Sequence, residues 1–299
     1  MTRAAPVELR SGLGRVFGIV DGDDAALRRA RLRGFEVVLA LVVATEYWLR
    51  AVPRWNDLEP HYWALLGVAT VAGAAVVLTP WRRAGFAAIA AAHAVLVWSE
   101  FPSTGNHAYL ELALAVLAAL LVLDRSGEQQ LELRAVRWMV VVVLFYSGLQ
   151  KLAQGAYLHG EYLAFSLASP SFRPLLGRLV AHDELVRLAS FGGNVGDGPY
   201  RVASWPLLAA SNVTWIAELA LAPALCRPRT RSAAVAAAIA LLVVIEVGAR
   251  ELFFGLVFAN ALLLFARRNA HAVFLPVAVL VLAALALVRA GALPEFAFY

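Results

Sequence analysis

Nine apolar segments divide this chain, at residues 34–52, 62–80, 84–99, 107–123, 135–152, 204–225, 232–249, 252–267 and 272–288. Each is long enough to cross a hydrocarbon core of about 30 Å. The pattern predicts an all-α, polytopic membrane protein with about nine transmembrane helices, in contact with a lipid bilayer. Composition agrees, since 61% of the residues are hydrophobic and no soluble domain carries that share.

Arginines punctuate the segments and predict their direction. Arg28, Arg29, Arg31 and Arg33 precede the first, and Arg82 and Arg83 follow the second. Arg125, Arg134 and Arg137 separate the fourth from the fifth. Arg227, Arg229 and Arg231 follow the sixth, and Arg267 and Arg268 the eighth. With nine spans all these clusters fall on one side, which the positive-inside rule makes the cytoplasm. The N-terminus is then cytoplasmic and Phe298-Tyr299 lies outside. The net charge of +5 is therefore a topology signal. A nucleic-acid partner is not expected, because that footprint needs basic residues gathered on one soluble face.

Residues 1–33 hold no apolar stretch of signal-peptide length. They read as a cytoplasmic segment, with a short surface helix from Ala25 to Arg33 after Asp23 and Asp24. Residues 34–299 form the transmembrane core. Its long outer connection, 153–203, has two short helical stretches, Leu163 to Leu167 and Phe172 to Leu185. Gly192 to Gly198 reads as a turn, since no strand precedes it and no Lys-Ser/Thr ends it as in a phosphate loop. The lone Cys226 allows no internal disulfide. Usage rich in Ala, Arg and Leu suggests a GC-rich bacterial genome, hence the bacterial cytoplasmic (inner) membrane.

Against this background one residue type is used once. Of the 26 basic residues only Lys151 is a lysine. A guanidinium cannot lose its proton in a protein, whereas an ammonium can when desolvated. Lys151 ends the fifth apolar segment, and ionisable groups at membrane depth are functional by default. It reads either as a base or as a lysine snorkelling to the interface. A neutral amine could take a proton from a phenol-like hydroxyl such as that of a membrane quinol. It could also form a Schiff base, which nothing here favours.

The predicted topology brings further polar groups to the same outer level. Asn106, His107 and Tyr109 open the fourth segment, and Glu100 ends the third. Glu246, Arg250 and Glu251 end the seventh. Asn106 also suits an ordinary N-cap, and Glu246 and Arg250, spaced i, i+4, also suit an intrahelical pair. Glu36, Glu46, His93 and Glu218 read as packed polar contacts between helices. The six histidines show no His-x-x-His or Glu-x-x-His spacing, so no metal site is expected.

Gly148-Leu149-Gln150-Lys151-Leu152 resembles the Gly-x-x-Lys-Leu of vitamin K-dependent gamma-glutamyl carboxylases, the horizontally transferred transmembrane domain (HTTM) family. Asn106-His107-Ala108-Tyr109-Leu110 resembles that family's Asn-His-x-Tyr-Leu, and Glu251-Leu252-Phe253 with Phe258 weakly echoes a later helix. The resemblance implies that Lys151 deprotonates a vitamin K-type hydroquinone, such as a menahydroquinone. It implies that His107 serves a carboxylation step, with oxygen and carbon dioxide as co-substrates. Asn106, Tyr109, Glu246 and Arg250 would line the site, and a small secreted peptide would be the acceptor. Glu246 stands where animal carboxylases carry a histidine, and the family's large outer β-rich domain finds no counterpart before Tyr299. A non-carboxylating membrane oxidoreductase, a peptide-maturation factor or a non-enzymatic scaffold are the alternative readings.

Overall fold

The computed structural model describes residues 25–52, 59–101, 106–121, 126–191, 199–249, 252–266 and 268–292. Most of those residues are helical, with no strand among them. The helices are α1 (Ala25–Ala51), α2 (Pro60–Leu78), α3 (Arg82–Glu100), α4 (Asn106–Leu121), α5 (Ser126–Gln154), α6 (Glu161–Ala168), α7 (Arg173–Leu176), α8 (His182–Ala189), α9 (Trp205–Cys226), α10 (Arg231–Ala249), α11 (Leu252–Leu262) and α12 (His271–Arg289). Each predicted apolar segment overlaps one of these helices. Four of them are long and apolar enough to cross a membrane: Pro60–Leu78, Gln129–Gln154, Trp205–Cys226 and His271–Arg289. His107–Leu121 and Leu252–Phe265 are apolar but shorter.

Residues 25–33 run into α1 without a break. Gly34 lets α12 approach this helix closely, because a Cβ there would meet the Cβ of His271 at 2.4 Å. α1 is the central helix. Phe35, Val38, Leu39, Val42 and Val43 are fully buried, and so is Arg31. That position explains how a helix carrying Glu36 and Glu46 belongs to a membrane bundle: its charges face other helices, not lipid. α11 is buried all round from Gly255 to Leu262. Its Asn260 Nδ2 donates to the Phe35 carbonyl at 2.9 Å, and His271 Nε2 lies 3.0 Å from the Asn260 carbonyl oxygen. The outer helices instead show lipid-type surface, with Val71, Leu78, Val244 and Leu280 exposed. Trp81 stands exposed at one end of the bundle, and Trp98 and Trp205 at the other, as interfacial aromatic belts do.

The arginines do more than mark an end. The last carbonyls of a helix have no partner within it and carry its negative dipole, and arginines take them up. Arg33 donates to the Val76 and Val77 carbonyls at the end of α2, at 2.7 and 2.6 Å. Arg83 donates to Ala119 of α4 at 2.9 Å, Arg137 to Leu264 beyond α11 at 3.0 Å, and Arg231 to Leu225 of α9 at 3.2 Å. Arg137 is fully buried and lies 5.3 Å from the Phe265 ring centroid. Glu36, with Arg82 at 2.7 Å and Arg33 at 3.5 Å, completes this end.

The connection after α5 folds as a small unit with its own core of Ala164, Leu167, Ala168, Leu176, Leu188, Tyr200 and Leu207. The single stretch expected over Phe172 to Leu185 is instead two helices, α7 and α8, separated by a short 3-10 turn at Gly177–Leu179 and extended backbone at Val180. Tyr200 packs edge-on against Phe165 and Phe191, with centroids 5.2 and 5.3 Å away. Two left-handed glycines, Gly155 and Gly160, turn the chain out of α5 into this unit. Ser211 of α9 then bonds the Tyr157 carbonyl at 2.7 Å. The turn expected at 192–198, and the outward Phe298-Tyr299, lie outside the described residues.

Candidate functional site

Lys151 sits in the last turn of α5, against the middle of α9. Gly148 makes the approach possible. A Cβ there would lie 2.9 Å from Leu219 Cγ, 3.0 Å from the Trp215 carbonyl oxygen and 3.1 Å from Glu218 Cβ. Gly148 and Lys151 are three residues apart and share a helix face, so the residue that admits α9 also aims the amine at it. Lys151 Nζ donates to both Glu218 oxygens at 2.8 Å and to Ser147 Oγ, four residues back, at 2.5 Å. The Tyr157 ring lies 5.4 Å away. The Lys151 side chain keeps 18% of its surface exposed and that of Glu218 only 6%, so the amine is the reachable member of the pair. Phe145, Tyr146 and Leu149 are exposed, and the last turns of α5 thus present apolar surface around it.

The Gly148 packing makes a direct prediction. Gly148→Ala forces a methyl against backbone as well as side chain, and is expected to cost about 1–3 kcal/mol as overpacking does. Thermal unfolding in detergent measures it. A variant as stable as the parent would mean that α5 and α9 do not approach this closely.

His107 belongs to a second polar centre, built by α1, α3 and α4. Its Nε2 lies 3.0 Å from Glu46 Oε1 and 3.5 Å from an Arg50 nitrogen. Arg50 bridges Glu46, at 2.6 Å, and Glu100, at 2.6 Å. Deeper in the bundle, His93 Nε2 lies 3.2 Å from Glu111 Oε2, with both residues fully buried. His93 Nδ1 faces the Tyr47 hydroxyl at 3.4 Å. The Phe253 ring of α11 stacks over His107 with centroids 6.3 Å apart. α4 therefore turns His107 and Glu111, four residues apart, to the same interior face.

The predicted site residues engage different partners. No hydrogen bond or ion pair joins Lys151 to His107 among the described residues. Tyr109 is exposed, because two positions along a helix point to opposite sides. Glu246 is buried on α10 against α11, where a Cβ at Gly255 would meet its Cδ at 2.5 Å. Arg250 and Glu251 lie outside the described residues, as does the side chain of Asn106.

Three residues read from sequence as packed polar contacts take larger parts. Glu218 is the direct partner of Lys151, and Glu46 and His93 lie at the heart of the His107 centre. Arg50 and Glu111 had drawn no expectation. Glu46, His93 and Glu111 come from three helices, so no spacing pattern along one segment could have revealed them. What could have been noticed is that each is an ionisable residue inside an apolar run. No family model matches this chain, and no curated protein or solved structure does either.

Proposed function

We propose that this chain is a polytopic enzyme of the bacterial cytoplasmic membrane, in which Lys151 and Glu218 together deprotonate a quinol of the vitamin K type. In this reading there are nine spans, the N-terminus is cytoplasmic and the site faces outward. The arginine-capped end of the bundle is then the inner one, and the Lys151 and His107 centres lie toward the outer leaflet. The resemblance of the Gly148-Lys151 and Asn106-Leu110 motifs to the vitamin K-dependent carboxylase-like family supplies the chemistry. The observation that carries it is the Lys151–Glu218 contact, an amine held by a buried carboxylate and reachable beside lipid-type surface.

The pair has the groups the step requires. In the proposed step the proton of Lys151 passes to Glu218, which lies 2.8 Å away, and the neutral amine is the base. Nζ then takes the hydroxyl proton of the quinol, and Ser147 Oγ holds the nitrogen in place. A reduced quinone with oxygen would supply the oxidising and strongly basic chemistry, and carbon dioxide the carboxyl group. His107, held by Glu46, is the polar partner for the acceptor, a small secreted peptide. The test is oxidation of reduced vitamin K by the purified, reconstituted protein with oxygen. No turnover above a heat-inactivated control would overturn the proposal.

His107→Ala should separate the two halves of this reaction. Quinol oxidation survives in part, because the Lys151 centre has no direct contact with the imidazole. Incorporation of labelled carbon dioxide falls by roughly 10²–10⁴, the scale of one acid–base group. Equal loss of both would assign His107 a structural role. A second reading is a related membrane oxidoreductase or peptide-maturation factor that runs the quinol step without carboxylating. It is favoured by the engagement of His107 Nε2 with Glu46 and Arg50. Quinol turnover with no carbon dioxide incorporated by the parent protein would select it.

A further inference from the structure

We propose that Glu46, His93 and Glu111 form a binding site for one divalent metal ion of the zinc class, buried between α1, α3 and α4. The proposal does not depend on the quinol chemistry. One donor atom from each residue lies within 4.8 Å of the others. Zinc–ligand bonds of about 2.0–2.2 Å put the donors of a tetrahedral centre roughly 3.5 Å apart. His93 Nε2 and Glu111 Oε2, at 3.2 Å, already have that spacing, and the Glu46 carboxylate has only a short way to close. Two carboxylates and one imidazole make a mixed oxygen–nitrogen donor set that suits zinc.

A second observation points to a ligand. Glu111 is fully buried, and among the described residues neither of its carboxylate oxygens has a hydrogen-bond donor apart from the carboxyl contact with Glu46; the same holds for Glu46 Oε2. Glu46 spends its other oxygen on Arg50 and His107, which leaves Oε2 for a third party. The Glu46 and Glu111 carboxyls contact each other directly, and such a contact needs either a proton or a cation between them. Tyr47 lies at His93 Nδ1. A ring that donates from Nδ1 to the tyrosine oxygen presents the Nε2 lone pair to Glu111, the arrangement of a metal-ligating histidine.

A divalent ion bound here would lie among three carboxylates, Glu46, Glu100 and Glu111, gathered around the Arg50 guanidinium. It would also tie three helices at the level where His107 is held, and so set the position of that imidazole through Glu46.

The test is metal content of the full chain, purified without an affinity tag, stripped with a chelator and re-equilibrated with Zn²⁺. Mass spectrometry of the desalted protein is expected to find about one zinc per chain, held by three protein donors with water in the fourth position. Glu111→Gln and His93→Gln should each weaken Zn²⁺ binding at least about tenfold, and Lys151→Arg should retain it. Should the variants not fold, the parent protein still decides. Zn²⁺ raises its unfolding temperature and a chelator lowers it, since a ligand bound only by the native state stabilises that state. Retention of less than roughly a tenth of an ion per chain, or binding unaffected by both variants, would overturn the proposal and leave a proton shared between Glu46 and Glu111.

Discussion

Lys151→Arg is expected to lower quinol oxidation by at least about 10²–10⁴ while the protein stays folded and inserted. Arginine can keep the contact with Glu218 and can snorkel as lysine does. It cannot give up its proton to Glu218, so it cannot become the base. Binding and chemistry are separable in this variant: reduced quinone should still protect the protein thermally although it is not consumed. Full oxidation by the arginine variant, in the same membrane preparation and at the same protein level, would remove Lys151 from the mechanism. The use of lysine at one position in a chain that otherwise employs arginine would then have no chemical reason.

Glu218→Leu should be the most destabilising single change at the site, by about 3–5 kcal/mol, because it strands an ammonium between α5 and α9 without its partner. Lys151→Met combined with Glu218→Leu should recover most of that loss, since a buried ion pair replaced by well-packed apolar groups is often neutral. The double variant should remain inactive. Thermal unfolding and the quinol assay together distinguish the possible roles of the pair. A double variant that is both stable and active would make the pair a structural tie only. A Glu218→Leu protein as stable as its parent would show that the ammonium is well solvated, contrary to its limited exposure.

Much of the architecture was legible because it depends on local, one-dimensional properties. Apolar runs become helices since the backbone has no other partner in lipid. The boundaries agree closely: 62–80 against Pro60–Leu78, and 232–249 against Arg231–Ala249. The clusters Arg33, Arg82–Arg83, Arg137 and Arg231 were legible as punctuation between the apolar runs. Their hydrogen bonds to the carbonyls of Val76, Ala119, Leu264 and Leu225 were not, because those partners belong to other helices. The two-helix form of 172–185 was missed for a similar reason. The break at Gly177–Leu179 carries no proline, and Leu179 of the turn packs onto the small core of this unit.

For the site, the sequence by itself determined which residue types are exceptional. One lysine stands among arginines, a histidine opens an apolar helix, and glutamates lie where lipid or protein must surround them. It also determined that a glycine precedes Lys151 on the same helix face. Only the tertiary structure decided who meets whom. Lys151 and Glu218 are 67 positions apart, and Glu46 and His107 are 61 apart. Their meeting depends on the rotation of each helix about its axis, where one residue changes the direction of a side chain by about 100°. Composition and spacing are silent about that angle. It is set by contacts such as the bare face of Gly148 against Trp215 and Glu218, which exist only once the helices have packed.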